Sequence, residues 1–238
     1  MQSRFRLFAG PNGSGKSFFF KFLKKNKTIH TEIYVSADSI EADLKKACEF
    51  NFNAYRVTVS EEEFKNHIRA SGLFLKMESD SFLKELNLQS GVLKISVHLV
   101  DSYLASFIAS YLVARLFESK QSFCFETVMS HESKIEILKL AVKNGYKTYL
   151  YFVFTEDVAL NEYRVQLRVI EGGHSVAVEK IRERFKRSFQ LLKAALHNTD
   201  TAFLIDNSQG FNVVAKQTNG KLDWISTKPV VLKNLADL

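Results

Sequence analysis

The chain has 238 residues, an apolar fraction of 46% and a net charge of +7. That length suits one large α/β domain carrying an insertion, and no apolar run reaches the ~20 residues that cross a bilayer. Cys48 and Cys124 are too few for a disulfide framework or a zinc site. Arg4 and Arg6 interrupt the start of the chain, which lacks the shape of a secretory signal, so a cytoplasmic protein without a membrane partner is expected.

The positive balance fits several partners. A basic surface attracts nucleic acid, and cationic groups also face the phosphates of a nucleotide ligand. No aromatic-and-basic stripe marks a base-stacking platform, so ligand phosphates and solvated surface are favoured over nucleic acid. An acidic protein partner would select the same balance.

Phe5 to Ala9 is a short apolar run that reads as a strand, and Phe18 to Lys25 reads as a helix. Between them, Gly10-Pro11-Asn12-Gly13-Ser14-Gly15-Lys16-Ser17 fits G-x-x-x-x-G-K-[ST], the phosphate-binding loop. In that setting the glycines let the backbone form a nest of N–H groups facing phosphate oxygens, and the helix N-terminus adds its dipole. Lys16 is placed to reach the β- and γ-phosphates, and Ser17 offers a hydroxyl to Mg²⁺. A glycine-rich turn that binds nothing also matches the bare pattern; strand before and helix after favour the loop. ATP with Mg²⁺ is therefore the expected cofactor.

Ile33 to Val35 reads as a second strand, with Asp38 just past its end and a helix over Ser39 to Glu49. Ligands of doubly wound sheets sit beyond strand carboxyl ends, so Asp38 can meet the group that receives phosphate. An N-cap role for Asp38 is compatible with this. Residues 50–98 read as an insertion: a capping box at Ser60, a helix over Ser79 to Leu88 and a strand over Val92 to Val97, with no catalytic pattern. Asp101 caps a helix to about Glu118 whose apolar residues keep helical spacing, which is a core face.

Ser122 to Thr127 is a buried-type strand ending in Glu126 and Thr127. Acid at the end of so apolar a strand repeats the arrangement at Asp38 and favours a functional use over a purely structural Glu126. Within that strand Cys124 reads as a buried structural thiol. A helix over Ser133 to Asn144 is closed by Gly145, and Tyr146 to Phe154 is the most continuous, central strand. The alternation of strand and helix means a parallel sheet.

A helix over Glu156 to Glu171 carries Arg164 and Arg168 on one face; Gly172-Gly173-His174 breaks the chain; a second helix over Val178 to Leu196 carries Arg182, Arg184 and Arg187. Two Arg-rich helices about a glycine hinge read as a lid over about 156–196, whose guanidinium groups offset charge on a phosphoryl group in transfer. Two solvated basic helices fit the spacing about equally. Thr201 to Asp206 is the last core strand, Asn207-Ser208 a turn, Val213–Gln217 and Leu222–Ile225 a hairpin through Asn219-Gly220, and Pro229 to Leu235 a terminal helix.

The ordered set AGPNGSGKS, VSAD, FETVMS, YRVQLRVIEGGHSV with IRERFKRSF, and LIDNS resembles the zeta-toxin-like family of P-loop kinases, from about Phe5 to Ser208. The resemblance implies a nucleoside-kinase-like α/β fold: a central, mostly parallel sheet flanked by helices, with an Arg-rich helical lid and an insertion, in one kinase domain over 1–238. It implies ATP-dependent transfer of the γ-phosphate to a hydroxyl of a small-molecule acceptor such as a UDP-amino sugar, and a cognate antitoxin as partner. By position, Gly10 to Ser17 match the ATP site, with Lys16 catalytic and Ser17 on the metal. Asp38 matches the general base, Glu126 and Thr127 the acceptor pocket, Arg164 and Arg168 the phosphate clamp, and Arg184 a further ATP contact. The insertion over 50–98 leaves the acceptor's identity open. Two other readings stand beside this one: a kinase of nucleotides or nucleic-acid ends, favoured by the charge, and a nucleotide-binding regulatory module that transfers nothing.

Overall fold

The computed structural model describes residues 2–72, 74, 81–173 and 175–235. The chain forms two compact units, Met1–Tyr34 with Ser122–Leu238, and Val35–Gln121. In chain order the elements are β1 (Arg4–Ala9), α1 (Lys16–Lys25), β2 (Ile33–Ser36), α2 (Ala37–Ala47), β3 (Glu49–Asn51), α3 (Glu61–Arg69), α4 (Phe82–Glu85), β4 (Asn87–Gln89), β5 (Val92–Lys94) and α5 (Ser102–Glu118). They continue with β6 (Phe123–Thr127), α6 (Ser133–Lys143), β7 (Lys147–Phe154), α7 (Val158–Ile170), α8 (Val178–Gln190), α9 (Leu192–His197), β8 (Thr201–Asp206), β9 (Asn212–Thr218) and β10 (Lys221–Trp224). A 3₁₀ segment over Val230–Leu235 stands where a terminal α-helix is expected.

The first unit is built on a seven-stranded sheet of order β10-β9-β8-β7-β1-β6-β2. β1 pairs in parallel with β6 and β7, and β7 with β8; β9 and β10 are antiparallel. This is the expected mostly parallel α/β sheet, and β7 is its fourth and central strand. Alternation along β7 explains its place. Tyr151 and Val153 join Phe8, Phe19, Phe20, Leu23 and Cys124 in one apolar cluster with α1. Phe152 and Phe154 meet the ring of Phe189 from α8 at 5.3 and 5.8 Å. A strand with aromatic cover on both faces is an inner strand. Phe8 stacks on Tyr151 at 4.8 Å and meets Phe20 edge-on at 5.4 Å, which gives several of the 21 phenylalanines a use. Cys124 is fully buried, and burial pushes its thiol up to about 12, so it is an inert core residue. Asn219 and Gly220 both take positive φ between β9 and β10, the two-residue hairpin turn that an Asn-Gly pair favours.

In the second unit β5 lies between β3 and β4 in an antiparallel sheet. Phe52, Phe64 and Tyr111 meet at centroid distances of 5.1 to 5.8 Å. Ser60 and Asp101 cap α3 and α5 by accepting from the amides of Glu63 and Leu104. The stretch 50–98 is thus packed into a unit that also contains α2 and α5.

Several boundaries differ from expectation. α2 begins at Ala37, so Asp38 lies in its first turn and Ser36 is the N-cap. A carboxylate suits that turn because the helix dipole favours it. β5 stops at Lys94. The helix expected over Ser79 to Leu88 is reduced to α4, because Leu88 already pairs with Leu93 as strand; Ser79 and Asp80 lie outside the described residues. The helix over Val178 to Leu196 divides at Leu191, although Leu191 still donates to the carbonyl of Arg187. Past that point Leu192, Ala195 and Leu196 are buried.

Candidate active site

The glycine loop emerges from β1 at Ala9 and ends where α1 begins at Lys16. All three of its glycines are required by close approach. A Cβ on Gly10, at φ +137°, would overlap the carbonyl oxygen of Val153, and one on Gly15, at φ +94°, would overlap the side-chain amide of Asn207. Gly15 is also the N-cap of α1 and makes no side-chain cap, and the end of a helix in that position favours an anion.

Two asparagines hold the loop from outside. Asn161 on α7 donates its side-chain amide to the carbonyl of Asn12 at 2.5 Å, and its own carbonyl accepts from the hydroxyl of Thr155. Asn207, just past β8, donates to the carbonyl of Ser14 at 2.8 Å. Inside the loop Lys16 is buried, with Nζ donating to the carbonyl of Pro11 at 2.8 Å. Asn12 Oδ1 and Ser14 Oγ are buried without a hydrogen-bond partner. Buried polar atoms are ordinarily satisfied, so these two fit a site built to receive a polar ligand.

The end of β6 lies beside the loop, since Phe8 pairs with Glu126 and Ala9 with Thr127. Glu126 is buried; its Oε1 accepts from the hydroxyl of Ser17 at 2.9 Å and its Oε2 from the hydroxyl of Tyr34. Burial raises its carboxyl above the usual carboxylate range, against the opposing pull of Lys16, the Ser17 hydrogen bond, Arg168 and Lys21. The structure therefore brings Lys16, Ser17, Glu126 and the charge of Arg168 into one neighbourhood. Thr127 Oγ1 accepts from the amide of Met129 at 3.3 Å, fixing the turn after β6.

Arg164 and Arg168 are both half-buried on α7, and Arg164 Nη1 is buried without a hydrogen-bond partner. Arg184 is half-buried on α8; the ion pair joining the two helices is made by Arg182, whose Nε donates to Glu162 at 2.6 Å. Gly172 takes φ +84°, and the Gly172 and Gly173 amides donate to Val169 and Arg168, closing α7; His174 lies outside the described residues. Asp38 is exposed and belongs to the second unit.

Asn161, Asn207 and Tyr34 are site residues that sequence reasoning does not pick out. The signal for Asn161 is an amide one turn before the arginine pair on α7. For Asn207 it is an amide directly after a core strand, which reads equally well as a turn.

Among the described residues no cluster of three His, Cys, Asp or Glu side chains could hold a metal, and no helix is long and apolar enough to cross a membrane. No family profile and no curated protein matches the sequence. Solved structures do match. A chain of the AvrRxo1-ORF1:AvrRxo1-ORF2 complex crystallised with ATP superposes with a TM-score of 0.59 at 15% identity, over 94% of this chain and 61% of that one. The native form of that complex gives 0.61 at 14% identity, over 100% and 66%. A structure of the PezAT chromosomal toxin–antitoxin system of Streptococcus pneumoniae gives 0.51 at 11% identity, over 97% and 75%. The chain shares the fold of these structures. The chain spans less than two thirds of the AvrRxo1 chain that it matches.

Proposed function

We propose that this protein is an ATP-dependent kinase of zeta-toxin type, which transfers the γ-phosphate to a hydroxyl of a nucleotide-linked acceptor such as a UDP-amino sugar and acts as the toxin of a toxin–antitoxin pair. The observation that carries the reading is the meeting of Lys16, Ser17, Glu126 and the Arg168 charge at the ends of β1 and β6. A fold shared with a complex crystallised with ATP supports the donor, and one shared with a toxin–antitoxin system supports an antitoxin partner.

The residues fit Mg²⁺. Ser17 Oγ and Glu126 Oε1 are hard oxygen donors 2.9 Å apart, and Mg²⁺ on a nucleotide takes one or two protein oxygens beside phosphates and water. Held by these residues, Mg²⁺ would supply neutralisation of phosphate charge. The chain's own groups do the rest. Lys16 exchanges the Pro11 carbonyl for a phosphate oxygen. Loop amides from Gly10 to Ser17 and Arg184 hold the donor, while Glu126 and Thr127 line the acceptor side. Asp38 accepts the proton of the acceptor hydroxyl as its oxygen bonds to the γ-phosphorus. The bond from that phosphorus to the β–γ bridging oxygen breaks, and ADP leaves. Arg164 and Arg168, on a lid over about 156–196, offset charge spread over the phosphoryl oxygens.

Asp38→Ala tests this reading. ADP formation with Mg–ATP and a mixture of UDP-sugars should vanish while ATP affinity stays near wild type. Transfer at the wild-type rate would remove Asp38 from the mechanism. The net charge of +7 favours a second reading, a kinase of nucleic-acid ends, marked by binding of oligonucleotides that falls steeply with salt.

A further inference from the structure

The outer face of α1 is aromatic and open. Phe18 is 69% exposed and Phe22 46%, four residues apart on one helix face. Both rings meet Phe211 from the segment between β8 and β9, with centroids 5.9 Å apart for Phe18 and 5.8 Å for Phe22. Phe211 packs edge-on against the buried ring of Phe19 at 4.8 Å, which anchors it. Phe18 and Phe211 form a stacked pair with planes 30° apart, and Phe18 is mostly exposed, so the pair leaves an aromatic surface open. Leaving a ring as large as Phe18 in water forgoes the burial free energy that a core position would give.

The position of this surface identifies its occupant. Phe18 follows Ser17 directly, and the ring of Phe211 would lie 3.8 Å from a Cβ on Gly15. The π surface therefore begins within van der Waals reach of the phosphate loop. A nucleotide whose phosphates rest in that loop carries a flat aromatic base on a short tether, and a base stacks on an aromatic ring whatever its hydrogen-bonding edge. We infer that Phe18 and Phe211 form the platform on which the purine base of the donor nucleotide stacks. The inference rests on the loop's being the ATP site. Selection is by ring area, so ATP and GTP bind alike and pyrimidine triphosphates more weakly.

The test compares Mg–ATP with inorganic tripolyphosphate plus Mg²⁺, by calorimetric titration of the full chain. Wild type should bind ATP about five- to a hundredfold tighter than tripolyphosphate, the range expected for one stacked base. Phe18→Ala and Phe211→Ala should each shrink that ratio and leave tripolyphosphate affinity unchanged; Phe18→Trp should restore or exceed it. Phe18 is mostly exposed, so its removal does not endanger the fold. A ratio untouched by either alanine overturns the platform while the donor reading stands. Equal weakening of both ligands assigns the rings to supporting the loop, and also overturns it. Failure of wild type to bind either ligand overturns the loop's function together with the platform.

Discussion

Asn207 ties the glycine loop to the end of the sheet. Its side-chain amide donates to the carbonyl of Ser14 at 2.8 Å, and its backbone amide donates to the carbonyl of Phe154 at 2.8 Å. One residue thus fixes the loop against the C-terminal end of β7. Asn161 does the same from α7 through Asn12. Preorganised loop amides make a site tight, since the backbone is ordered before the ligand arrives.

The first prediction concerns these two amides. Asn207→Ala and Asn161→Ala should each cost about 1–3 kcal/mol of stability, because each leaves a loop carbonyl without its donor. Nucleotide affinity should fall by about tenfold, equivalent to 1.4 kcal/mol. Denaturant unfolding and nucleotide titration measure the two effects. Unchanged nucleotide affinity would mean that the asparagines serve the fold alone.

Gly10→Ala is predicted to be more damaging than its size suggests. The new methyl would overlap the Val153 carbonyl oxygen, at a φ that alanine rarely adopts. Loss of more than about 2 kcal/mol is expected, with nucleotide binding abolished. Thermal unfolding with and without ATP is the check; an ATP-induced rise in Tm as large as in wild type would contradict the argument.

Glu126 predicts an inverse relation between stability and activity. Its folded-state pKa is raised, chiefly by burial. The folded protein therefore holds this proton more tightly than the unfolded chain. Stability falls as pH rises from the ordinary carboxylate value, about 4.3, through the raised one. Glu126→Gln removes that penalty. Without ligand it should raise Tm at pH 8, the gain fading as pH drops towards the ordinary value, and it should lower kcat. A variant less stable than wild type at pH 8 would show that the opposing pull of Lys16 and Arg168 outweighs burial.

Arg164 carries a kinetic prediction. Arg164→Met should lower kcat by about a hundredfold with little change in ATP affinity, as expected when a group acts on charge that develops in transfer. Arg164→Lys should recover only part, because lysine lacks the planar fork. A change confined to KM would instead make Arg164 a ground-state binding residue.

Much of this was legible in the sequence. The loop declares itself because three glycines, a lysine and a serine at fixed spacing have few other uses, and β7 because six of its eight residues are aromatic or β-branched, which suits an inner strand. Asp101 and Ser60 mark their helix starts by cap chemistry. Glu126 stood out as acid at the end of an apolar strand. The rest depends on pairings distant in sequence. Asn207 bonds a carbonyl 193 positions away, so nothing local distinguishes it from an ordinary turn asparagine. Phe18 and Phe211 form no stripe in the sequence because the sheet alone brings them together. The start of α2 was misplaced by two residues, since Asp38 suits an N-cap and a first turn almost equally.

The measurement that tests the central claim most directly is mass spectrometry of the products formed by the full chain with Mg–ATP and a panel of UDP-sugars, with Lys16→Ala as the blank. A gain of one phosphate on a panel member, matched by ADP and absent from the blank, is the predicted result. ADP formation at the same level in the blank, or ATP bound with no phosphate moved to UDP-sugars, nucleotides or oligonucleotide ends, would contradict the account.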